Sequence, residues 1–262
     1  MRTILMIFVV LCAANGFSEE SNPADGTVSM PENGVCAHRG ANSLAPENTV
    51  PAFEEAVRRG AEMVELDTKY TKDGKIVILH DGTIDRTSDG TGRPSDYTFE
   101  EIRRFDFGSW KDPKFAGTRI PTLDEVFAVL PQNVWVNLHT PNNPKLALEV
   151  ADWVVAHGRQ HQSFLATGKQ AMDAVRQKYP DFYICNMDRQ GGDNAAYTAN
   201  TIAWKCDFIQ FTTPAAPEQT AALHAAGVRI NYFYCNDLKK FEALRESGVD
   251  FPLVDNMPAV GR

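Results

Sequence analysis

Short runs of aliphatic, aromatic and β-branched residues alternate along this chain with longer segments that carry apolar residues at helical spacing. The strand-like runs are 35–38, 63–67, 134–138, 163–166, 182–185, 208–211, 228–232 and 251–254. The helix-like segments are 49–59, 123–129, 144–156, 171–178, 194–203, 216–226 and 238–247. This alternation implies a parallel sheet, because each parallel crossover needs a connection long enough to hold a helix. Eight such strands suit a closed (β/α)8 TIM barrel, an α/β fold that assembles its site at the C-terminal ends of the strands. An open doubly wound sheet competes with this reading, but the glycine-rich dinucleotide fingerprint expected of it is absent from the sequence.

The run 76–79 breaks the count. It follows 63–67 after a link too short for a parallel crossover, and the link contains Asp73-Gly74. Asp-Gly signals a two-residue hairpin. The run is therefore expected to return antiparallel, as a small hairpin and loop insertion after the second barrel strand. With Asp73-Gly74 as the loop, Lys72 faces Lys75 and His80 falls opposite Asp67; a bulge would shift this register by one residue.

The N-terminus reads as a secretory signal: Arg2, an apolar run over 4–12 and small residues at 13–16. The run is too short to span a bilayer comfortably, so no stable membrane span is expected. Residues 1–18 are assigned to a signal peptide, 19–33 to a flexible leader and 34–262 to one barrel domain, in a secreted or periplasmic protein. The formal charge of −8 argues against nucleic acid, whose backbone binds clustered Lys and Arg. Cys36, Cys185, Cys206 and Cys235 remain after export. They sit in or beside strand-like runs, which favours buried thiols over disulfides.

Chemistry concentrates in the first third of the chain. Glu65 and Asp67 are two apart on a strand, so their side chains share a face. If that face lines the barrel, the pair demands a cation, and hard divalent ions prefer such oxygens. His38 ends the first strand, and the hairpin brings His80 back to the same carboxylates. Two histidines so placed can take a proton from an attacking oxygen and give one to a leaving oxygen. Arg39 offers a planar charged fork for a phosphate. Glu47 is suited to orienting Arg39 or a histidine, or to capping the helix near Thr49. Asn48 reads as a loop or cap residue. Together these residues form a kit for cleaving a small phosphodiester with a divalent metal.

The motifs, in order, are His38-Arg39-Gly40, Pro46-Glu47-Asn48-Thr49, Glu65-Leu66-Asp67, Thr71-Lys72-Asp73-Gly74, His80-Asp81, Arg86-Thr87, Gly108-Ser109-Trp110 and Ile120-Pro121-Thr122-Leu123. Near the end come Gly248-Val249-Asp250 and Val254-Asp255 with Pro258. This order resembles the glycerophosphodiester phosphodiesterase family, from Val35 to Pro258. The resemblance implies a (β/α)8 barrel that splits glycerophosphodiesters into glycerol 3-phosphate and an alcohol. It makes His38 and His80 the catalytic acid/base pair, Arg39 the phosphate ligand, and Glu65 and Asp67 metal ligands. Glu47 and Phe233 are placed with Arg39 at the substrate. The implied reaction has the neighbouring glycerol hydroxyl attack phosphorus, with water opening the resulting cyclic phosphate.

Two departures from the family pattern stand out. Where the family has Asn-Ile-Glu-Ile-Lys on the third barrel strand, this chain has Asn137-Leu138-His139-Thr140-Pro141. His139 replaces a metal-binding glutamate and Pro141 a phosphate-binding lysine. The family's metal is calcium or magnesium; His139 either lines the pocket without binding metal or, as a third ligand, admits manganese or zinc. The family's Trp-Thr-Val-Asn run is here Phe233-Tyr234-Cys235-Asn236, which leaves Phe233 as the aromatic wall of the pocket. Segment 81–122, with Trp110, is expected to cover the pocket mouth. Two other functions share the scaffold: phospholipid cleavage that stops at a cyclic phosphate, as in sphingomyelinase D-like relatives, and a barrel that binds phosphodiesters without turnover. The sequence specifies no oligomeric state.

Overall fold

The structure, a computed structural model, describes residues 28–257. The signal peptide at 1–18 and the leader as far as residue 27 lie outside the described residues. The last residues of the expected leader are tied to the barrel: Met30 packs against the interior apolar cluster, and the Pro31 carbonyl accepts the Trp135 indole N–H at 2.8 Å.

The strands are β1 (Cys36–Ala37), β2 (Met63–Tyr70), β3 (Ile76–Ile78), β4 (Trp135–His139), β5 (Ser163–Thr167), β6 (Ile184–Asn186), β7 (Phe208–Phe211), β8 (Arg229–Tyr232) and β9 (Phe251–Val254). The helices are α1 (Val50–Arg58), α2 (Phe99–Ile102), α3 (Leu123–Val129), α4 (Pro144–Ala156), α5 (Lys169–Lys178), α6 (Asn194–Ala203), α7 (Pro217–Ala225) and α8 (Leu238–Glu246). All strands except β3 run parallel, and β1 pairs with both β2 and β9, which closes an eight-stranded barrel. The sequence-derived elements agree with this to within a few residues; α2, inside segment 81–122, was not among them.

Alternation along the strands separates two cores. Cys36, Met63, Trp135, Phe164, Cys185, Phe208 and Phe251 fill the barrel, where the Phe164 and Phe208 rings stack at 3.9 Å. Val64, Leu66, Val136, Leu138, Leu165 and Ile184 face outward, packing with residues of α1, α3, α4 and α5. The helices start where the sequence supplies caps. Thr122 and Glu125 form a capping box on α3, and Asn143 caps α4 ahead of Pro144. All four described cysteines are free and buried. Among the described residues, no helix is long and apolar enough to cross a membrane.

The hairpin differs from its expected register by one residue. Thr68 pairs with Ile78 and Tyr70 with Ile76, and the Leu79 N–H reaches the Asp67 carbonyl at 2.9 Å. Lys75 therefore faces Thr71 rather than Lys72, and the loop holds three residues, 72–74. The physical reason is Gly74, whose φ of 79° supplies the left-handed position of a three-residue hairpin. The Thr71 hydroxyl locks this loop by accepting the Lys75 N–H and donating to Asp73 Oδ1. His80 thus emerges one residue beyond the Leu79–Asp67 step, at the barrel mouth. Val77, Leu79, Ile84, Ile102, Phe107 and Ile120 form a small separate core under segment 81–122. Within that segment Trp110 is 37% exposed and donates to the Phe107 carbonyl, so it fastens its own loop.

Candidate active site

β2 builds the centre of the site. Its first half, 63–67, pairs with β4 inside the barrel, and its second half, 68–70, leaves the barrel to pair with β3. Glu65 and Asp67 are the last inward residues before that departure, so both sit buried at the C-terminal mouth. The β2–β4 register sets His139 beside Asp67. His139 Nδ1 lies 2.9 Å from Asp67 Oδ1 and 3.8 Å from Glu65 Oε1.

The loop after β1 occupies one oxygen of each carboxylate, and Asp67 Oδ1 is also hydrogen-bonded to His139 Nδ1. Glu65 Oε2 accepts the Arg39 backbone N–H at 3.0 Å, and Asp67 Oδ2 accepts the Asn48 amide at 2.9 Å. The other oxygen of each faces His139. Among the described residues no donor hydrogen-bonds Glu65 Oε1. Burial and the neighbouring Asp67 charge push the Glu65 carboxyl well above the usual range. Burial would raise Asp67 too, but His139, His80 and Arg39 outweigh it and hold that carboxyl well below its ordinary value.

The loop after β1 delivers those donors through unusual backbone. Arg39 has φ 57°, Gly40 φ 77° and Asn48 φ 55°. Left-handed non-glycine residues cost about 1–3 kcal/mol and persist where surrounding structure fixes them. Here the Asn48 N–H bonds the Arg39 carbonyl at 3.0 Å, pinning both. Asn48 is the loop residue expected from sequence, but it is 2% exposed and its amide is committed to Asp67 rather than to a cap. The N-cap of α1 is Thr49.

Both histidines of the expected pair have Nδ1 fixed by a carboxylate. His38 Nδ1 lies 2.7 Å from Asp255 Oδ1, which leaves Nε2 facing Glu65 Oε2 at 3.9 Å. Phe233 stands edge-on to the His38 ring at 5.0 Å. Burial would raise Asp255, but hydrogen bonds from His38, Asn236 and Asn42 hold it low. His80 Nδ1 lies 2.6 Å from Asp81 Oδ1. Asp81 Oδ2 accepts Arg86 Nε, Arg86 grips both oxygens of Glu47, and Glu47 Oε1 also accepts Arg39 NH1, each at 2.7 Å. Glu47 was expected at the substrate, orienting Arg39 or a histidine, or capping the helix near Thr49; its contact with Arg39 fits the orienting reading. Both its oxygens are taken by guanidinium groups, so it is a positioning residue for Arg39. Arg39 NH2 has no hydrogen-bond partner among the described residues and remains free for an anion.

Sequence reasoning assigned no role to Asp255, Asp81 or Arg86. All three lie within the quoted motifs, and that was the available signal.

The family model described as the glycerophosphoryl diester phosphodiesterase family matches residues 38–176. The chain belongs to this family. A glycerophosphodiester phosphodiesterase of Bacillus altitudinis is 28% identical over 240 residues, covering 82% of this chain and 91% of that protein. A putative glycerophosphodiester phosphodiesterase of Bacillus subtilis is 52% identical over 92 residues, 35% of this chain. That match spans only 38% of the Bacillus subtilis protein, and the next relative is covered to 40%. The crystal structure of the Agrobacterium tumefaciens glycerophosphodiester phosphodiesterase superposes with a TM-score of 0.75 at 26% identity, over 87% of this chain and 98% of that one. An Oleispira antarctica phosphodiesterase, solved with the product sn-glycerol-3-phosphate, gives 0.74 at 25% identity over 88% of this chain and 95% of its own.

Against the pattern that the resemblance implies for this phosphodiesterase family, His139 stands for a carboxylate and Pro141 for a lysine, one negative and one positive group fewer. A divalent cation fits the residues present. Glu65, Asp67 and His139 offer one ligand atom each, all within 4.8 Å of one another, and the buried Glu65 oxygen facing His139 receives no donor. A cation is what two adjacent buried carboxylates call for.

Proposed function

We propose that this chain hydrolyses a glycerophosphodiester, or a related small phosphodiester, to glycerol 3-phosphate and an alcohol. One observation carries the reading. Two histidines, each held through Nδ1 by its own carboxylate, stand at the same barrel mouth as the Glu65–Asp67–His139 cluster. Carboxylate contacts at Nδ1 fix ring orientation and direct Nε2 to the substrate, as general acid–base chemistry requires.

A divalent ion held by Glu65, Asp67 and His139 would polarise a phosphoryl oxygen and offset the charge that builds on it. The protein's own groups do the rest. Arg39 turns its free NH2 toward a phosphate oxygen while Glu47 holds NH1. One of His38 and His80 accepts the proton of the attacking glycerol hydroxyl at Nε2; the other protonates the departing alkoxide. In the second half the two exchange roles, and water opens the cyclic ester. Phe233 gives the His38 side of the pocket an apolar wall. The N-terminal signal reading places this activity outside the cytoplasm.

The test is phosphorus NMR of glycerophosphocholine incubated with the protein and Ca2+, Mg2+, Mn2+ or Zn2+ in turn. Appearance of the open monoester, lost in His38→Ala and His80→Ala, is the expected result. A cyclic ester that persists would replace hydrolysis with transfer alone. Binding of a phosphodiester panel without turnover under any metal would sink the enzymatic reading.

A further inference from the structure

The discriminating feature of the metal cluster is how few oxygens it offers. Glu65 Oε2 is engaged by the Arg39 N–H, and Asp67 Oδ2 by Asn48. A side-on grip by either carboxylate would share an oxygen with one of those donors and weaken it as a ligand, so the oxygen each turns toward His139 is the better donor. Glu47, the next carboxylate at the mouth, has both oxygens bound to Arg39 and Arg86. The third donor is a nitrogen, His139 Nδ1, set 2.9 Å from Asp67 Oδ1 and 3.8 Å from Glu65 Oε1. Donors on a metal at about 2.0–2.2 Å sit roughly 3 to 3.5 Å apart; the three atoms here lie within 4.8 Å of one another, and an ion would draw Glu65 in while His139 Nδ1 exchanges its hydrogen bond to Asp67 for the metal.

Calcium takes about 6–8 oxygens and is poorly served by imidazole. A face of two single carboxylate oxygens and one imidazole nitrogen, completed by water and substrate, matches catalytic zinc and related transition-metal centres. The backbone that carries the imidazole is fixed: His139 closes β4 in register with Asp67, and its neighbour Thr140 shares a hydroxyl hydrogen bond with Thr68. The placement of His139 beside the two carboxylates is therefore a property of the β2–β4 pair.

We infer that Glu65, Asp67 and His139 form a three-donor centre selective for a borderline divalent transition metal, of the zinc or manganese type, over calcium, with His139 Nδ1 as the selecting ligand. This rests on the phosphodiesterase reading for the location of the metal, but its test does not use turnover.

Dissociation constants for Zn2+, Mn2+ and Ca2+ are measured by calorimetry on the purified protein, for the parent, His139→Glu and His139→Ala. Circular dichroism reports on folding of each. Changes between variants cancel adventitious zinc sites on other histidines. The expected result is a zinc-to-calcium preference at least tenfold lower in His139→Glu, and zinc affinity at least tenfold weaker in His139→Ala with calcium little changed. The Co2+-loaded parent should show a visible spectrum that shifts in both variants. A preference unchanged in His139→Glu, or a cobalt spectrum indifferent to position 139, overturns the inference. An inactive protein that still shows the tenfold change would sink the phosphodiesterase reading and leave this one standing. An active one without the change does the reverse.

Discussion

His38, at the end of β1, and Asp255, just past the end of β9, are 217 residues apart and meet across the barrel seam at 2.7 Å. Three donors converge on this carboxylate. His38 and Asn42 bond Oδ1, and Asn236 bonds Oδ2. An asparagine at 255 has one acceptor oxygen and would turn an N–H toward at least one of these donors. It also removes the negative charge that faces His38 Nδ1. Asp255→Asn is expected to lower kcat on glycerophosphocholine by about 10²-fold or more with KM little altered. An unchanged kcat would remove Asp255 from the mechanism.

Arg86 carries the link between the two halves of the site. It joins the carboxylate behind His80 to the carboxylate behind Arg39. Surface ion pairs contribute roughly 0–1 kcal/mol, and Arg86 is nearly half exposed, so little stability should depend on it. Its effect should appear in positioning, where small displacements cost up to about 10²-fold. Arg86→Ala is expected to reduce kcat by roughly tenfold or more and to raise KM, with only a modest fall in the urea midpoint at neutral pH. Arg86→Lys keeps the charge but not the fork and should recover only part. Steady-state kinetics of both variants that match the parent would reduce the relay to a surface salt bridge.

The same relay has an acid limit. Hydrogen bonding from Arg86, assisted by His80 and opposed by partial burial, lowers Asp81 to about 2. A carboxyl depressed in the folded state contributes stability above its unfolded value, near 4, and loses it as pH falls through the folded value. Asp81 should therefore contribute fully above about pH 4 and progressively less toward pH 2. Urea midpoints measured from pH 6 to 2 should fall less steeply for Asp81→Asn than for the parent over that window. Parallel curves would show that Asp81 has no linkage to folding.

Much of this was legible in the sequence because it depends on period. The strand and helix runs follow from the alternation of apolar residues, and Glu65 and Asp67 share a face whatever the tertiary structure. Local turn chemistry was legible only to within a residue: Asp73-Gly74 announced a hairpin, but Gly74 entered a three-residue loop. Pairings made by closure were not legible. Nothing near Asp255 says that it meets His38, because only the β1–β9 pairing brings them together. Asn48 looked like a cap because its sequence neighbourhood is a helix start, whereas its partner, Asp67, lies on the next strand. Arg86 had no role in the sequence reading, and its link appears only once the hairpin carries Asp81 over Glu47.

The barrel interior should be intolerant of lost volume. Phe164 and Phe208 stack at 3.9 Å between β5 and β7, both fully buried. Truncating a buried phenylalanine typically costs about 3–5 kcal/mol, because surrounding strands relax little into the gap. Phe164→Ala is expected to lose stability in that range by urea denaturation. A loss under 1 kcal/mol would mean that the interior repacks around the gap.

Gly40 offers the sharpest link between backbone and site. Its φ of 77° follows the left-handed Arg39, and a Cβ there would stand 2.7 Å from the backbone carbon of Ala52 in α1. The contact is with backbone, so no side-chain rotation relieves it. Either α1 moves or the loop does, and both hold the site: Asn48 precedes α1 and fixes Asp67, while the Arg39 N–H fixes Glu65. Gly40→Ala combines strained φ with this clash, each a source of about 1–3 kcal/mol. It is expected to lower the urea midpoint and, in the fraction that folds, to weaken metal affinity and kcat together. Gly74→Ala is the control. It has a similar φ of 79° but nothing within 4 Å of its added Cβ, so it should cost stability without touching the metal. If Gly40→Ala behaves like Gly74→Ala in a calorimetric metal titration, the β1 loop does not set the geometry of the carboxylates.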